Sequence, residues 1–311
     1  MSSDISVIIC AHDEARWQEL KGALGSLERQ SLTPHEVIVV VDHNDALLRR
    51  VRGSLGVAAI ENTQTPGLGG ARNSGLAASS GSVVAFLDDD ALASREWLSL
   101  LAEEYQDPVV AGVGGCAEPL WTDARPAWFP PEFDWVVGCS YLGMPETPQA
   151  VRNVFGCNMS FRHEILDSLG GFRLGYGCDE TDFCIRLRQR WPDKKVIYVP
   201  EAKVLHHVPA NRARLLRFIS RCYFEGGSKA VVARLVGRND ALASEYRYTR
   251  EILPRGVRRD LGEFVRRGDA GGLSRAAMMA VGLASTTLGY LAGSFATARA
   301  ARARGWSGGQ L

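Results

Sequence analysis

Three consecutive aspartates are the feature of this 311-residue sequence with the clearest chemical potential. Asp88, Asp89 and Asp90 directly follow the apolar run 82–87, which has the composition of a buried strand. Carboxylates this close repel one another unless a cation neutralises them, and oxygen ligands of this kind suit Mg²⁺ or Mn²⁺ beside a phosphate. The run therefore indicates a divalent-metal site, although the same residues could instead cap a helix that begins near Ser94.

Two further groups of titratable residues lie later in the chain. Asp179 and Glu180 begin a helical pattern. Acidic residues are favoured at helix starts by the helix dipole alone, so a structural role is open for both. His206 and His207 follow a short apolar run, where His206 could be a buried core histidine.

A glycine-rich stretch at 67–70 precedes Arg72 and Asn73, and Asp42 ends an earlier apolar run. A guanidinium group can clamp a phosphate through two parallel hydrogen bonds, so Arg72 is a candidate phosphate ligand. The glycines do not form a dinucleotide-binding fingerprint, because they follow the third predicted strand and lack the G-x-G-x-x-G spacing. Structural alternatives remain: a surface ion pair for Arg72, and turns for Asp42 and the glycines.

Strands and helices alternate in the part of the sequence that carries these groups. Short β-branched runs predict strands at 5–11, 36–41, 57–60 and 82–87, and the spacing of leucines and alanines predicts helices at 16–29, 46–52 and 71–79. Such alternation predicts an α/β fold with a mostly parallel central sheet, in which ligands bind at the carboxyl ends of the strands. The polar clusters of this region follow predicted strands, so we expect them to lie at that edge.

The rest of the sequence is less regular. Residues 116–153 are rich in tryptophan and proline, as expected of an exposed binding surface, a lid or a hydrophobic cover for the sheet. Periodic structure returns in a strand at 154–161, a helix at 179–190 and a strand at 196–199, and the chain from residue 211 onward is predicted to be helical.

Composition excludes several classes of protein. A net charge of +1 argues against a dedicated nucleic-acid-binding protein, which would carry a strong basic excess. The seven cysteines are scattered and form no C-x-x-C pair, so neither a zinc site nor a disulfide framework is supported. The sequence begins with a polar segment that leads into a strand and not with a secretory signal pattern, so we expect the enzyme to act in the cytoplasm.

The helical region 211–311 has its own charge pattern. It holds about eighteen Lys or Arg against about seven Asp or Glu, so an almost neutral chain has a basic carboxyl-terminal extension. The uncharged stretch 276–298 is long enough to cross a bilayer but only weakly apolar, and arginines flank it on both sides. It could span a membrane, lie peripherally on an anionic membrane surface, pack on the catalytic domain or form a homodimer.

Taken in order, the motifs resemble those of the family 2 glycosyltransferases of the GT-A fold. The resemblance covers about residues 5–207 and lies in the order of seven segments: VIICAHDEA, EVIVVVDHNDA, TPGLGGARNSGL, FLDDDA, FGCNMSFRHEIL, GCDETDFCIRL and KVLHHVP. It implies a Rossmann-like GT-A domain at 1–210, with a nucleotide-sugar half at about 1–92 and an acceptor half at about 93–210. The extension at 211–311 lies outside it.

The resemblance also assigns roles to residues. It implies a catalytic base at Glu180 or Asp179, since the usual Glu-Asp order is reversed here and leaves open which neighbour acts. It implies Mg²⁺ or Mn²⁺ on Asp90 and His206, and an acceptor side that includes Asn158, with Trp128 of the aromatic segment as a further candidate. The implied donor-binding residues are Ala11, His12, Glu14, Asp42, Arg72, Asn73, Asp88 and Asp89.

The implied activity is inverting transfer of a sugar from a nucleotide diphosphate-sugar, with UDP favoured, to an acceptor hydroxyl. The basic extension favours a lipid-linked glycan of cell-envelope polysaccharide or glycoconjugate synthesis as the acceptor. The alternatives are a soluble small-molecule acceptor such as a natural product, or a non-catalytic protein that binds nucleotide-sugars or carbohydrate. A sugar nucleotidylyltransferase is disfavoured, because the segment after the first strand lacks the glycine-rich, arginine-containing loop that such enzymes need.

Overall fold

The computed structural model describes residues 4–175 and 177–303, with side chains to residue 297. Its centre is a single mixed sheet. The strands are β1 (Ile5–Ala11), β2 (Glu36–Val41), β3 (Ala58–Glu61), β4 (Val83–Asp88), β5 (Ala91–Ala93), β6 (Val110–Trp121), β7 (Gln149–Ala150), β8 (Asn158–Arg162) and β9 (Lys195–Val208). They lie in the order β3-β2-β1-β4-β8-β6-β9-β5, with β7 beside β9. Strands β3, β2, β1 and β4 are mutually parallel, as predicted, whereas β8 runs antiparallel to both of its neighbours.

Helices cover both faces of the sheet and form the carboxyl-terminal extension. The helices of the sheet region are α1 (Trp17–Glu28), α2 (Asp45–Ser54), α3 (Leu68–Ala78), α4 (Trp97–Glu104), α5 (His163–Ser168) and α6 (Asp179–Arg190). Those of the extension are α7 (Leu215–Val236), α8 (Arg238–Ala241), α9 (Ala243–Arg247), α10 (Leu253–Arg267) and α11 (Ala270–Ala303). Short 3-10 turns occur at Glu14–Arg16, Pro131–Val137 and Ala210–Ala213, and a π-helical turn at Tyr248–Ile252.

The apolar side chains of β1 alternate between two hydrophobic clusters. Val7 and Ile9 point to one face and pack in a cluster with Leu20 of α1. Ile8 points to the other face, in a cluster that includes Phe183 of α6. Because a strand buried on both faces needs mostly apolar residues, the run 7–11 of β1 specifies this central position. The carboxyl end of the strand then presents the following loop to the site.

Three predicted boundaries are wrong. Helix α3 begins at Leu68, not at residue 71, because Gly69 and Gly70 lie inside its first turn and do not interrupt the chain. A Cβ atom on Gly70 would lie 2.0 Å from the carbonyl oxygen of Thr65, so the glycine serves close backbone approach. Strand β8 begins at Asn158, not at residue 154, and β9 extends to Val208 and therefore carries both histidines.

The extension packs closely on the aromatic segment. Phe129 and Phe133 from that segment share one buried cluster with Phe218 of α7, Leu253 of α10 and Met279 of α11. Residues from both sides of the predicted boundary at 210 therefore contribute to one core. The expectation of an exposed binding surface or lid is wrong for Phe129 and Phe133, which serve as hydrophobic cover.

Helix α11 is also a candidate membrane segment. Among the described helices, it has a stretch, Ala270–Thr297, that is long and apolar enough to cross a bilayer by length and composition. The same helix lies very close to α7, where a Cβ on Gly226 would meet the backbone of Thr286 at 2.0 Å. A Cβ on Gly289 would likewise meet the backbone of Tyr223 at 1.9 Å. Small residues thus allow the two helices to pack backbone to backbone.

Candidate active site

Asp42 ends β2 and fixes the loops around the carboxyl edge of the sheet. Its Oδ1 accepts hydrogen bonds from Asn62 Nδ2 at 2.6 Å and from His43 Nδ1 at 2.8 Å, and its Oδ2 accepts one from the Gly67 amide at 2.8 Å. Burial alone would raise the pKa of Asp42, but these hydrogen bonds outweigh it and lower the pKa. The side chain is therefore held as a carboxylate at the start of α3.

The other residues of the predicted donor loop differ in exposure. Ala11 is buried in the core, whereas His12 and Glu14 are exposed on the loop that follows β1. The amide of Asn44 donates to the backbone oxygen of His12 at 3.0 Å, which brings the loops after β1 and β2 together. The side chain of Glu14 lies 4.0 Å from Arg50 of α2 and is not otherwise engaged in an ion pair that the structure describes.

Asp89 and Asp90 are buried and paired with arginines. Arg16 Nη1 lies 2.8 Å from Asp89 Oδ1 and 3.2 Å from Asp90 Oδ2, and Arg212 Nη2 lies 3.7 Å from Asp90 Oδ2. Helix α4 begins at Trp97 and has no side-chain cap, so the helix-capping alternative for the aspartates is wrong. No local sequence signal identified either arginine, because both reach the aspartates from other elements.

These surroundings separate the pKa values of the two buried aspartates. Burial raises the pKa of Asp89 to about 7, even though Arg16 opposes the shift. For Asp90, the close imidazole of His206 and the charges of Arg16 and Arg212 outweigh burial and hold the pKa at about 2. Asp90 is thus the member of the pair that stays ionised.

Asp88 and Asp90 both lie close to the imidazole of His206. His206 Nε2 on β9 lies 3.1 Å from Asp90 Oδ1 and 3.8 Å from Asp88 Oδ2. Asp90 Oδ1 is buried, yet no hydrogen bond of acceptable geometry reaches it. A buried carboxylate oxygen without a donor is costly, and two carboxylates with one imidazole suit Mg²⁺ or Mn²⁺, so this donor set fits a divalent cation. Asp88 thus joins Asp90 and His206 as a candidate metal ligand.

Cys157 lies beside the same cluster. Its Sγ atom, a carboxylate oxygen of Asp88 and a ring nitrogen of His206 all lie within 4.8 Å of one another. The thiol also lies 3.3 Å from the carbonyl oxygen of Gly138, to which it donates. Burial raises the pKa of Cys157 well above its ordinary value. Mg²⁺ and Mn²⁺ prefer carboxylate and imidazole ligands to sulfur, which favours the two carboxylates and the imidazole as the candidate ligands.

Arg72 and Asn73 on α3 form hydrogen bonds to the acidic pair and to the loop before it. Arg72 is 2% exposed, and it donates from Nη1 to Asp179 Oδ2 at 2.9 Å and from Nη2 to the Gly156 oxygen at 3.0 Å. Its Nη2 also lies 3.9 Å from Asp88 Oδ1. Asn73 donates to the oxygen of Phe172 and accepts from its amide, each at 2.8 Å. These bonds fix the loop before α6.

Asp179 and Glu180 begin α6 in unlike environments. Asp179 has the short ion pair with Arg72, whereas Glu180 has no cation within ion-pairing distance in the part of the chain that the structure describes. Burial, followed by the negative charge of Asp179, raises the pKa of Glu180 well above the ordinary glutamate range, although Arg72 opposes the shift. A carboxylate with a raised pKa is a stronger proton acceptor once it is ionised, which suits Glu180 to the role of a general base.

A cavity of about 950 Å³ joins these groups to the extension. Asp88, Arg72 and Glu180 are among the residues that line it. Aromatic side chains from the 116–153 segment and from the π-helical turn also line it, as do residues of the extension. The residues in question are Trp135, Tyr141 and Tyr248, then Arg221, Lys229 and Glu245, and finally Leu283, Thr286, Thr287 and Tyr290 of α11.

The structure does not bring Trp128 or Asn158 to this cavity. Trp128 packs on Phe129 and Phe218, with ring centroids 5.5 and 5.7 Å away. Asn158 is fully buried; it accepts from Trp97 Nε1 at 2.8 Å and donates to the oxygens of two other residues, Cys116 and Ala202. Both side chains are therefore occupied in packing or hydrogen bonding within the fold.

Charged residues of the extension form a network that sequence reasoning missed. Lys229 Nζ lies 2.8 Å from Glu245 Oε1, and Arg152 donates to both carboxylate oxygens of the same glutamate. Glu225, one helical turn before Lys229, lies 3.8 Å from its ammonium group. The i,i+4 spacing of Glu225 and Lys229 was the available sequence signal, but it indicates a helix pair and not a position at the cavity.

The fold and the convergence of these carboxylates at its sheet edge are those of a GT-A glycosyltransferase. The chain belongs to glycosyl transferase family 2, whose sequence model matches residues 6–170. It is thus an enzyme that transfers sugars, as the order of its motifs predicted.

Two curated relatives and one solved structure illustrate the similarity. The glucosyl-dolichyl phosphate glucuronosyltransferase of Haloferax volcanii is 31% identical over 241 residues, which cover 73% of this chain and 77% of that protein. The pre-mycofactocin glycosyltransferase of Mycobacterium tuberculosis is 30% identical over 182 residues, 57% of this chain but only 37% of that protein. A mannosyltransferase from Pyrobaculum calidifontis in complex with GDP-Man and Mn²⁺ superposes with a TM-score of 0.60. It is 19% identical and covers 94% of this chain and 88% of that one, which supports the shared fold.

Proposed function

We propose that this glycosyltransferase moves a sugar, with inversion, from a nucleotide diphosphate-sugar to a hydroxyl group of a lipid-linked acceptor, with Mg²⁺ or Mn²⁺ as cofactor. One observation carries the proposal. Asp88 of the candidate metal cluster and Glu180 line the same cavity as charged residues of α7 and apolar residues of α11. A donor bound at the sheet edge and an acceptor that enters along the extension would therefore meet between these two carboxylates.

The donor half of the reaction follows from the sheet edge. Asp42, held ionised by its hydrogen bonds, would bind the base or ribose, with Ala11, His12 and Glu14 on the adjoining loop. Asp88, Asp90 and His206 would hold the divalent cation, which supplies positive charge to the departing diphosphate. Asp89, paired with Arg16, would stabilise the loop and contact the donor. The structure of the mannosyltransferase from Pyrobaculum calidifontis contains GDP-Man and Mn²⁺, a ligand set of this kind.

Glu180 would act as general base on the acceptor. As the acceptor oxygen attacks the anomeric carbon from the side opposite the diphosphate, its proton passes to the carboxylate of Glu180, and the bond between the anomeric carbon and the diphosphate oxygen breaks. The carboxylate of Asp179 is less free to accept this proton, because it is held in an ion pair with Arg72. We therefore assign proton transfer to Glu180 and a supporting role to Asp179 and Arg72.

The lipid-linked nature of the acceptor is supported by the lining of the cavity. Its lining includes Asp88 and Glu180 and also Leu283 and Tyr290 of α11. Large apolar side chains are exposed farther along α11 and on the neighbouring α7. They are Leu288, Leu291 and Phe295 on α11 and Leu216 and Phe224 on α7. The relative from Haloferax volcanii is named for glucosyl-dolichyl phosphate, a molecule with one sugar and one long apolar chain.

The same surface supports peripheral membrane binding. Exposed apolar side chains beside a basic extension are the composition of a surface that binds an anionic bilayer. The cytoplasmic face of the membrane is the location we propose, with the apolar face of α7 and α11 in the interface. The alternative is that a second copy of this chain binds this face to form a homodimer, which light scattering without lipid would detect.

A transfer assay tests the proposal. The full chain would be incubated with Mn²⁺ and UDP-, GDP- or dTDP-sugars, first by thermal shift to find the donor and then with polyprenyl-phosphate sugars or soluble sugars as acceptors. We expect one donor to stabilise the fold and to be transferred to the lipid-linked acceptor, detected by mass spectrometry. Transfer to soluble acceptors alone would favour the natural-product alternative. A donor that binds but is neither hydrolysed nor transferred would indicate a non-catalytic binding protein.

A further inference from the structure

Cys178, the residue before the acidic pair, has an unusual backbone conformation. Its φ angle is 65°, and among the described residues it shares a positive φ with one other non-glycine residue, His43, which adjoins Asp42. A side chain in this left-handed region costs free energy, and such conformations persist where the surrounding structure holds them, often at functional sites. Cys178 is also the N-cap of α6, so its backbone sets where Asp179 and Glu180 point.

Helix α7 of the extension holds this residue in place. Cys178 Sγ donates to Glu225 Oε1 on α7 at 3.0 Å. The cysteine is 8% exposed and packs in a small cluster with Ile185 of α6 and Val232 of α7. Gly177 also lies close to α7, where a Cβ would meet the hydroxyl of Ser228 at 3.0 Å. These contacts attach the first turn of α6 to the extension.

The same stretch of α7 lines the acceptor side of the cavity. Arg221, Glu225 and Lys229 all face it. Glu225 Oε2 lies 3.7 Å from Arg221, its Oε1 lies 3.8 Å from Lys229, and Lys229 continues to Glu245. One side of α7 therefore contacts the place where the acceptor is proposed to bind, and Glu225 also contacts the residue that orients the proposed base.

We propose that Glu225 is a positioning residue, which fixes the position of Glu180 through Cys178. It thereby couples the side of α7 that lines the cavity to the placement of the base. The inference rests on the proposed role of Glu180. Displacing a catalytic group by about 1 Å can cost on the order of a hundredfold in rate, so loss of this contact should affect turnover more than donor binding.

Four variants test the contact. Cys178→Gly removes the side chain but leaves a residue that adopts the left-handed conformation freely, so it avoids a folding defect from backbone strain. Glu225→Ala removes the acceptor of the hydrogen bond, and Glu225→Gln keeps an oxygen in its place. We expect a 10- to 100-fold loss of kcat for Cys178→Gly and for Glu225→Ala, an unchanged donor KM, and kcat within about threefold of wild type for Glu225→Gln. The double variant Cys178→Gly/Glu225→Ala should be no slower than the slower single variant.

A matched control separates positioning from simple loss of packing. Cys184→Ala removes another fully buried cysteine of α6 that lies in a different cluster. It should lower Tm while leaving kcat of the folded protein unchanged. The inference is overturned if Cys178→Gly and Glu225→Ala keep kcat within twofold of wild type, or if their effects multiply in the double variant.

Glu180→Gln, measured in parallel, distinguishes the two proposals. If Glu180→Gln turns over normally, the assignment of the base fails and the positioning role fails with it. If Glu180→Gln is inactive while Cys178→Gly is fully active, the positioning role alone is refuted. Inactive Glu180→Gln with a slow Cys178→Gly supports both.

Discussion

Arg72 Nη1 donates to Asp179 Oδ2 at 2.9 Å, and this ion pair distinguishes two adjacent carboxylates. Asp179 has its charge compensated by a buried guanidinium, whereas Glu180 has its pKa raised by burial and by Asp179. The sequence left open which neighbour acts as the base, because both begin the same helix. The ion pair between α3 and α6 is the physical basis for our choice of Glu180.

The first prediction concerns this choice. Glu180→Gln should lower kcat by about 10²–10⁴-fold, the contribution of a positioned general base, while the dissociation constant of the donor stays unchanged. The measurement is steady-state transfer with saturating acceptor, together with calorimetric binding of the donor.

Asp179→Asn is the matched comparison for that experiment. It should lower kcat less than Glu180→Gln but should lower Tm more, because Arg72 is 2% exposed and would lose the carboxylate that neutralises it. A dead Asp179→Asn beside a fully active Glu180→Gln would show that the base is the other neighbour.

The second prediction is a pH dependence. Because the pKa of Glu180 is raised, the carboxylate needed for proton transfer is depleted as pH falls through that raised value. We expect log kcat to rise with unit slope and to level off at a pH well above the ordinary glutamate range. Asp179→Asn removes the neighbouring negative charge, so the rising part of the pH–rate profile should move to lower pH. An unchanged profile would show that Asp179 does not raise the pKa of Glu180.

The third prediction concerns the metal ligands. Asp88→Asn and His206→Ala should each weaken Mn²⁺ binding in the presence of nucleotide by at least about tenfold and abolish transfer, and EDTA should abolish transfer by the wild type. Isothermal titration with Mn²⁺ and nucleoside diphosphate measures the binding directly. Cys157→Ala serves as control, because its thiol donates to Gly138 and should not be a ligand. Full activity in EDTA would rule out the metal assignment.

The fourth prediction concerns stability. Although burial raises the pKa of Glu245, Lys229 and Arg152 outweigh it and hold the pKa at about 2. Glu245→Ala leaves these two cations without their carboxylate, so it should lower the free energy of unfolding by about 3 kcal/mol in urea titrations at pH 7. Because the folded pKa is lowered from 4.5, this contribution is fully present above about pH 5 and is lost as the pH falls toward 2.

An exposed glutamate provides the comparison for Glu245. Glu251 is 50% exposed and lies 3.8 Å from Arg247, so Glu251→Ala should change the free energy of unfolding by about 0.5 kcal/mol or less. Equal losses for the two variants would show that the network at Glu245 adds no stability beyond that of a surface ion pair.

The fifth prediction concerns membrane binding. Phe224 is 61% exposed on α7 and Phe295 is 75% exposed on α11, so the double variant Phe224→Ser/Phe295→Ser should lose most of its flotation with vesicles that contain phosphatidylglycerol. Leu142, 50% exposed outside the extension, provides the control variant Leu142→Ser, which should float like the wild type. Absence of flotation by the wild-type chain would end the membrane proposal.

The sequence by itself determined which polar residues lie at the carboxyl edge of the sheet. The largely apolar composition of β1 specifies a strand buried on both faces, and the same reasoning placed β2 and β4. Since parallel strands end at one edge, Asp42 and Asp88 had to lie there. These are local signals: strand composition, alternation with helices, and polar residues directly after strands.

Only the tertiary structure decided which distant residues meet. Arg72 and Asp179 are separated by 107 positions, and Arg152 and Glu245 by 93, so no local pattern could pair them. The apolar composition of residues 154–157 predicted a strand. They precede β8, however, and Val154 and Cys157 are buried because they pack in the two hydrophobic clusters on either face of the sheet. The extension likewise gave a helical and basic signal, but its packing against Phe129 and Phe133 and its contribution to the cavity lining depend on the tertiary structure. Packing and ion pairing between remote segments depend on the whole fold, whereas helix and strand formation depend largely on neighbouring residues.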